Sequence, residues 1–140
     1  MTFKFLEEFA TADIAFIAEG KTLKELFQSA GDALIESLAN PKTVKKELTR
    51  EFTVKENTPE DLLFSFLEEI IYLKDKDGMV FNSLEVEVDE KNLQARAKLK
   101  GAHIDPETQE LRNDVKAVTM HYYKIEKEDE GWKTRVVLDV

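Results

Sequence analysis

Three carboxyl groups lie where this chain could gather them. The apolar run Val136-Val137-Leu138 reads as a strand and is followed by Asp139 and Val140, so a side-chain carboxylate sits beside the terminal one. Two anions on one strand tip repel each other unless a cation or an Arg or Lys partner neutralises them. This end is therefore either a metal site or a solvated tail. Near the other end, Asp13 is held among small residues in Ala10-Thr11-Ala12-Asp13-Ile14, just before an apolar strand. It is either a turn former or a third anionic group brought to the same place. Three oxygen donors of this kind suit a hard divalent cation, Ca²⁺, Mg²⁺ or Mn²⁺, rather than a soft one.

A cation is available nearby. In Asp114-Val115-Lys116-Ala117-Val118-Thr119-Met120-His121-Tyr122-Tyr123 the strand period of two puts Lys116 on the face of Val118, Met120 and Tyr122. If a terminal hairpin pairs Lys127 with Trp132, counting back sets Met120 opposite Asp139, with Lys116 further along the same face. Lys116 is then either a functional cation or a lysine snorkelling at a sheet edge.

Composition removes other chemistries. The chain has 140 residues and no cysteine, which excludes disulfides, thiolate nucleophiles and Cys-ligated zinc or iron-sulfur centres. Its five glycines form neither G-x-G-x-x-G nor G-K-[ST], so the nucleotide-cradling loops are missing. The two histidines, His103 and His121, have no nucleophile elbow to serve. A net charge of -9 gives no counterion-release affinity for phosphodiesters, so tight direct nucleic-acid binding is not expected. No basic-then-apolar leader and no apolar run of membrane length occurs, which reads as a cytoplasmic chain with no membrane partner.

The elements that must position these residues follow from periodicity. Phe3 to Phe9 and Ile14 to Ala18 read as strands. Thr22, with Glu25 three residues on, is a capping box that opens a helix through Leu23, Leu26, Phe27, Ala30, Leu34 and Leu38, ended by Asn40-Pro41. Val44 to Lys55 alternates as a half-exposed strand. Thr58-Pro59-Glu60-Asp61 starts a second helix that Asp77-Gly78 closes. Leu84 to Val88 and Leu93 to Leu99 form a hairpin about Glu90-Lys91-Asn92, Gly101 to Asn113 is an irregular loop, and Val115 to Ile125 with Trp132 to Leu138 make the last hairpin. The order ββαβαββββ predicts one α+β domain over residues 1–140, with two helices packed on mostly antiparallel sheet.

Several of these segments together resemble the archease family, small accessory proteins of the RtcB-type tRNA-splicing RNA ligase. The resemblance rests on Thr11-Ala12-Asp13, Thr22-Leu23-Lys24-Glu25-Leu26-Phe27, Leu62-Leu63-Phe64-Ser65-Phe66-Leu67-Glu68-Glu69, Asp114 to His121, and the Asp139-Val140 ending. It implies a protein that is not itself an enzyme, promotes GTP-dependent guanylylation of the ligase, and supports multiple turnover in tRNA splicing and RNA repair. It further implies a divalent metal, such as calcium, near Asp13 and Asp139 with the carboxylate of Val140 completing the site, and Lys116 as the lysine needed for activation. Two positions depart from the family pattern, Ala10 and Gln109, where histidine is common.

Two other functions use the same residues differently. A metal-dependent hydrolase would employ the acids with His121 as general base, and would turn over substrate alone. A chaperone-like protein-binding module would use an exposed sheet edge, and the acids would be irrelevant to it.

Overall fold

The computed structural model describes residues 1–6 and 13–140, the side chains of His121 and Tyr122 excepted. The chain begins with β1 (Thr2–Leu6) and β2 (Asp13–Gly20), antiparallel with Phe3 opposite Ala18. The expected extension of the first strand to Phe9 lies outside the described residues. Helix α1 (Leu23–Leu38) starts where the capping box puts it: the Glu25 N–H donates to Thr22 Oγ1 at 3.1 Å. The return bond is displaced by one residue, because the Glu25 carboxylate accepts from the N–H of Lys21 at 3.1 Å rather than that of Thr22. Every residue of the expected apolar stripe of α1 is buried.

Asn40 then caps a single 3-10 turn, Pro41–Thr43, with its side chain accepting from Lys42 N–H. This turn corrects the expected strand start at Val44. Proline fixes its own φ and the turn consumes the next two residues, so pairing begins only at β3 (Leu48–Lys55). Helix α2 (Pro59–Asp77) has Thr58 as N-cap, Glu60 and Asp61 in its first turn, and Gly78 as a left-handed C-cap at φ 58°. The hairpin β4 (Met79–Asp89) and β5 (Gln94–His103) follows. Gly101 to His103 therefore belong to a strand, not to the loop expected from Gly101 to Asn113, because Ala102 pairs with Val80 and His103 with Met79. The chain closes with β6 (Ala117–Glu128) and β7 (Gly131–Asp139). Element order is ββαβαββββ, as predicted.

The strands form two antiparallel sheets, β1-β2-β7-β6 and β3-β5-β4. Both helices bridge them: α1 packs on β2 and β4, and α2 on β6 and β3. Phe16, Phe27, Phe66 and Phe81 are fully buried at the centre, with the Phe27 and Phe66 rings 5.4 Å apart. The outer face of the smaller sheet is wet and charge-paired across strands, Lys98 lying between Glu51 and Glu85 and Arg96 facing Glu87.

A bulge between Phe81 and Ser83 leaves Asn82 unmatched, and its amide donates to the carbonyls of Pro41 and Val44 at 3.1 and 2.9 Å. Gly101 faces this bulge, where a Cβ would run into the Val80 carbonyl oxygen and sit 2.9 Å from the Phe81 Cα. The obstacle is backbone, so it cannot rotate away. Gly101→Ala should destabilise the protein by about 1–3 kcal/mol, read from the urea midpoint at unchanged slope.

The second register surprise is larger. Lys127 does pair with Trp132, but five steps along β6 from Thr119 to Lys124 match two along β7 from Val137 to Arg135, leaving three unmatched residues on β6. Ala117, not Met120, is consequently opposite Asp139.

Candidate acidic corner between the second and last strands

Asp13 opens β2 and Asp139 ends β7, and the two are direct cross-strand partners. The reason is the apolar register behind them: Phe16 opposite Val136 and Ile14 opposite Leu138 bury one face, and a slip by one residue would turn those side chains outward. Asp13 and Asp139 therefore share the other face, with Ala15 opposite Val137 in the next row. Both acids are half-buried. Carboxylates directly opposite on neighbouring strands lie about 4.5–5.5 Å apart at Cβ and destabilise the pairing when both are charged. Among the described residues neither acid has an ion-pair or side-chain hydrogen-bond partner. Val140 follows, half-buried and packed against the core, so the last residue is held at the same sheet end.

This donor set is all oxygen and anionic, which fits Ca²⁺, Mg²⁺ or Mn²⁺ bound through two carboxylates with further oxygen donors. No cluster of three or more His, Cys, Asp or Glu side chains with metal-ligand geometry occurs among the described residues.

Lys116 reaches the corner through its backbone. Its N–H donates to the Asp139 carbonyl at 2.8 Å, one residue before the pairing of Ala117 with Asp139. It does not share a buried face with Val118 and Met120, as the alternation predicts. Strand pairing starts only at Ala117, Val115 and Val118 point inward, and Lys116 and Met120 are exposed. Its side chain is exposed to solvent rather than lodged in an apolar surface, and its charge acts on the neighbouring Asp114.

What places Lys116 is a strap of irregular chain tied to the ends of both helices. The Arg112 N–H donates to the Leu38 carbonyl and its guanidinium to the Glu36 carbonyl and carboxylate, all at 2.9 Å. The Asn113 amide donates to the Ser37 carbonyl at 2.9 Å. Lys74 of α2 then takes over: its buried Nζ donates to Asp114 Oδ1 at 2.6 Å and to the Val115 carbonyl at 2.8 Å, and pairs with Asp75 at 2.8 Å. Burial alone would push the Lys74 ammonium down, but its hydrogen bonds to Asp114 and Asp75 outweigh that and raise it. The Lys74 hydrogen bond in turn holds the Asp114 carboxyl below its usual range. One residue into β6, the Val118 N–H donates to Glu68 Oε1 of α2 at 3.3 Å, and burial pushes that carboxyl up. Sequence reasoning passed over Lys74. The available signal was a lysine four residues after Ile70, on the buried stripe of α2.

Gln109, where the family pattern commonly has histidine, is a staple. It is buried, its Nε2 donates to the His103 carbonyl at 3.0 Å, and its Oε1 accepts from the Asp105 N–H at 2.8 Å. His103 itself is exposed and its Nδ1 lies 3.0 Å from the Asp77 carbonyl. Ala10 and the His121 side chain lie outside the described residues. Tyr123 is no acid-base candidate: its hydroxyl donates to the Glu60 carbonyl at 2.6 Å, and burial, with the charges of Glu60 and Asp61, pushes it above its ordinary range.

A two-sheet, two-helix α+β protein with paired acids where β2 begins and β7 ends is the class that this fold and corner define. The chain belongs to the archease family, whose description reads archease protein family (MTH1598/TM1083) and which matches residues 3–140. Protein archease of Pyrococcus abyssi is 38% identical over 133 residues, covering 93% of this chain and 94% of the relative. That of Methanosarcina acetivorans is 35% identical over 141 residues, covering 99% and 95%. The solution structure of Methanobacterium thermoautotrophicum protein 1598 superposes with a TM-score of 0.81 at 30% identity, over 99% of this chain and 98% of that one. The crystal structure of a Thermotoga maritima archease, described as a possible chaperone, shares the fold at a TM-score of 0.69 and 23% identity, over 94% and 93%. Among the described residues no helix is long and apolar enough to cross a membrane.

Proposed function

We propose that this protein activates an RtcB-type tRNA-splicing RNA ligase in the cytoplasm, promoting its GTP-dependent guanylylation and multiple turnover. In this reading a divalent cation is held by Asp13, Asp139 and the carboxylate of Val140, with Lys116 as the functional cation beside them. The observation that carries it is the direct pairing of Asp13 with Asp139, with the Lys116 N–H on the Asp139 carbonyl. When bound, the cation supplies concentrated positive charge at the tip of an acidic protein, able to engage phosphate oxygens or carboxylates.

The chain's own residues do the rest. The apolar pairs behind Asp13 and Asp139 keep the two carboxylates on one face, and the strap anchors the Lys116 backbone next to Asp139. With a net charge of -9 the protein is drawn to a basic protein surface rather than to RNA, so the ligase, not its substrate, is the expected partner.

The test is guanylylation of the cognate ligase by GTP and Mn²⁺ with sub-stoichiometric amounts of this protein. Multiple turnovers that appear only on its addition are the expected result. A folded protein that leaves the ligase at a single turnover removes this reading. The second reading is a chaperone-like binding module, favoured by the exposed edge strand β1 with Phe5 partly exposed. It predicts suppression of client aggregation that survives loss of either acid.

A further inference from the structure

The same sheet carries a second site of opposite charge. Its outer face, two rows from the Asp13 and Asp139 pair, runs Lys4, Ile17, Arg135, Lys124 across the four strands, and the next row adds Lys133 between Glu19 and Glu126. Arg135 and Lys124 are direct cross-strand partners, an arrangement that costs stability unless an anion lies between them. A cleft of about 370 Å³ opens here, its charged lining Lys124, Lys133, Arg135 and the single carboxylate Glu126, with Ile17 on its apolar side, within the roughly 300–1,000 Å³ of small-molecule sites.

The charges on its wall do not cancel. Lys124 pairs with Glu126 at 2.9 Å, while among the described residues Lys133 and Arg135 have no ion-pair or hydrogen-bond partner, and Glu19 does not come within ion-pair distance of Lys133. The other two polar groups of the wall are committed, the Thr134 hydroxyl to the Lys124 carbonyl and the Tyr123 hydroxyl to the Glu60 carbonyl. Three cations, one of them a guanidinium fork, thus share the single carboxylate of Glu126, leaving an excess of two positive charges around a cavity with one apolar side in a chain that is strongly acidic overall. A ligand carboxylate would neutralise only one of the two excess charges. A terminal phosphate carries up to two charges and accepts bidentate bonds from arginine.

We propose that the cleft between Ile17, Lys124, Lys133 and Arg135 binds the terminal phosphate of a phosphorylated ligand, either a nucleotide or a nucleic-acid end. The cleft is distinct from the acidic corner, and its occupation does not depend on ligase activation. The phosphate seats on Arg135 and Lys133, and Ile17 packs against the sugar or base that follows. One phosphate contact set of this size accounts for recognition of an end without tight binding along a backbone.

Calorimetric titration of the whole protein with GDP, with a short 5′-phosphorylated oligoribonucleotide and with its 5′-hydroxyl counterpart tests this. Binding of GDP assigns a nucleotide ligand, and binding of the phosphorylated oligonucleotide alone, with the hydroxyl form at least about tenfold weaker, assigns a nucleic-acid end. The double variant Lys133→Gln, Arg135→Gln should weaken whichever binds by about tenfold or more at unchanged circular dichroism. For a variant that fails to fold, amide chemical shifts of the unaltered protein replace it, and ligand-induced shifts should centre on Ile17, Lys133 and Arg135. No binding of either phosphorylated probe at millimolar concentration, equal binding of the hydroxyl form, undiminished binding by the folded variant, or shifts centred elsewhere overturns the proposal.

Discussion

Asparagine in place of Asp13 or Asp139 should abolish ligase activation while making the metal-free protein slightly more stable. The two carboxylates face each other across β2 and β7 with no cationic partner among the described residues, so removing one charge relieves repulsion worth about 0.2–1 kcal/mol. The amide keeps the volume and the pairing. Divalent cation reverses the order. At a hundredfold excess over its dissociation constant, a cation bound only to the native state adds about 2.7 kcal/mol to the wild type, and asparagine should forfeit most of it. Activation should fall by about a hundredfold or more, beyond the usual loss for a residue that merely orients a ligand. Thermal unfolding with and without Ca²⁺ or Mn²⁺, run beside the guanylylation assay, checks both halves. Variants less stable than wild type in chelator that still activate the ligase would show that the acids serve the fold, not a cation.

How much of this corner could be read in advance depended on the range of the cause. The meeting of residues 13 and 139 was implied only by the family resemblance, because no spacing within either segment says that β2 and β7 are neighbours; once they are, the apolar runs leave a single register that buries Phe16, Val136 and Leu138. The helix caps at Thr22 and Thr58 and the left-handed Gly78 were legible because they are satisfied within a few residues. The β6 bulge was not. Thr119 to Tyr123 alternates no differently from a regular strand, and three unmatched residues appear only when β7 is laid beside it. Counting back from Lys127 and Trp132 consequently misplaced Met120 for Ala117. The reach of β5 through His103 was hidden for a similar reason, since its last residues are held by Met79 and Val80 of another strand. Gly101 looked like a loop residue and is required by backbone packed against it.

The support of Lys116 was the least legible part, because it runs between residues 40 apart in the chain, Lys74 and Asp114. It also carries the largest expected structural effect. Lys74→Ala removes the buried stem and the side-chain donor to the Val115 carbonyl, and should cost about 3–5 kcal/mol. Lys74→Met keeps the stem. It leaves that carbonyl unpaired while Asp114, which is largely exposed, passes into water, so the cost drops to about 1–3 kcal/mol. The two variants separate packing from tethering: Lys74→Met should remain folded yet activate the ligase poorly, because the strap no longer fixes Lys116 beside Asp139. Lys74→Arg, which retains a donor for Asp114, should recover part of the activity.

The tether has two pH limits. The Lys74 ammonium is raised above its ordinary 10.5 in the fold, so its contribution is full below that value and is lost as pH climbs through the higher folded one. The Asp114 carboxyl is lowered from 3.8, so its contribution is present above that value and is lost as pH falls through the lower folded one. Stability curves of wild type and Lys74→Met should therefore run parallel between these limits and converge beyond them. Curves that stay parallel at alkaline pH, or a Lys74→Met protein that activates like wild type, would mean that Lys116 is positioned by its own bond to Asp139 and not from α2.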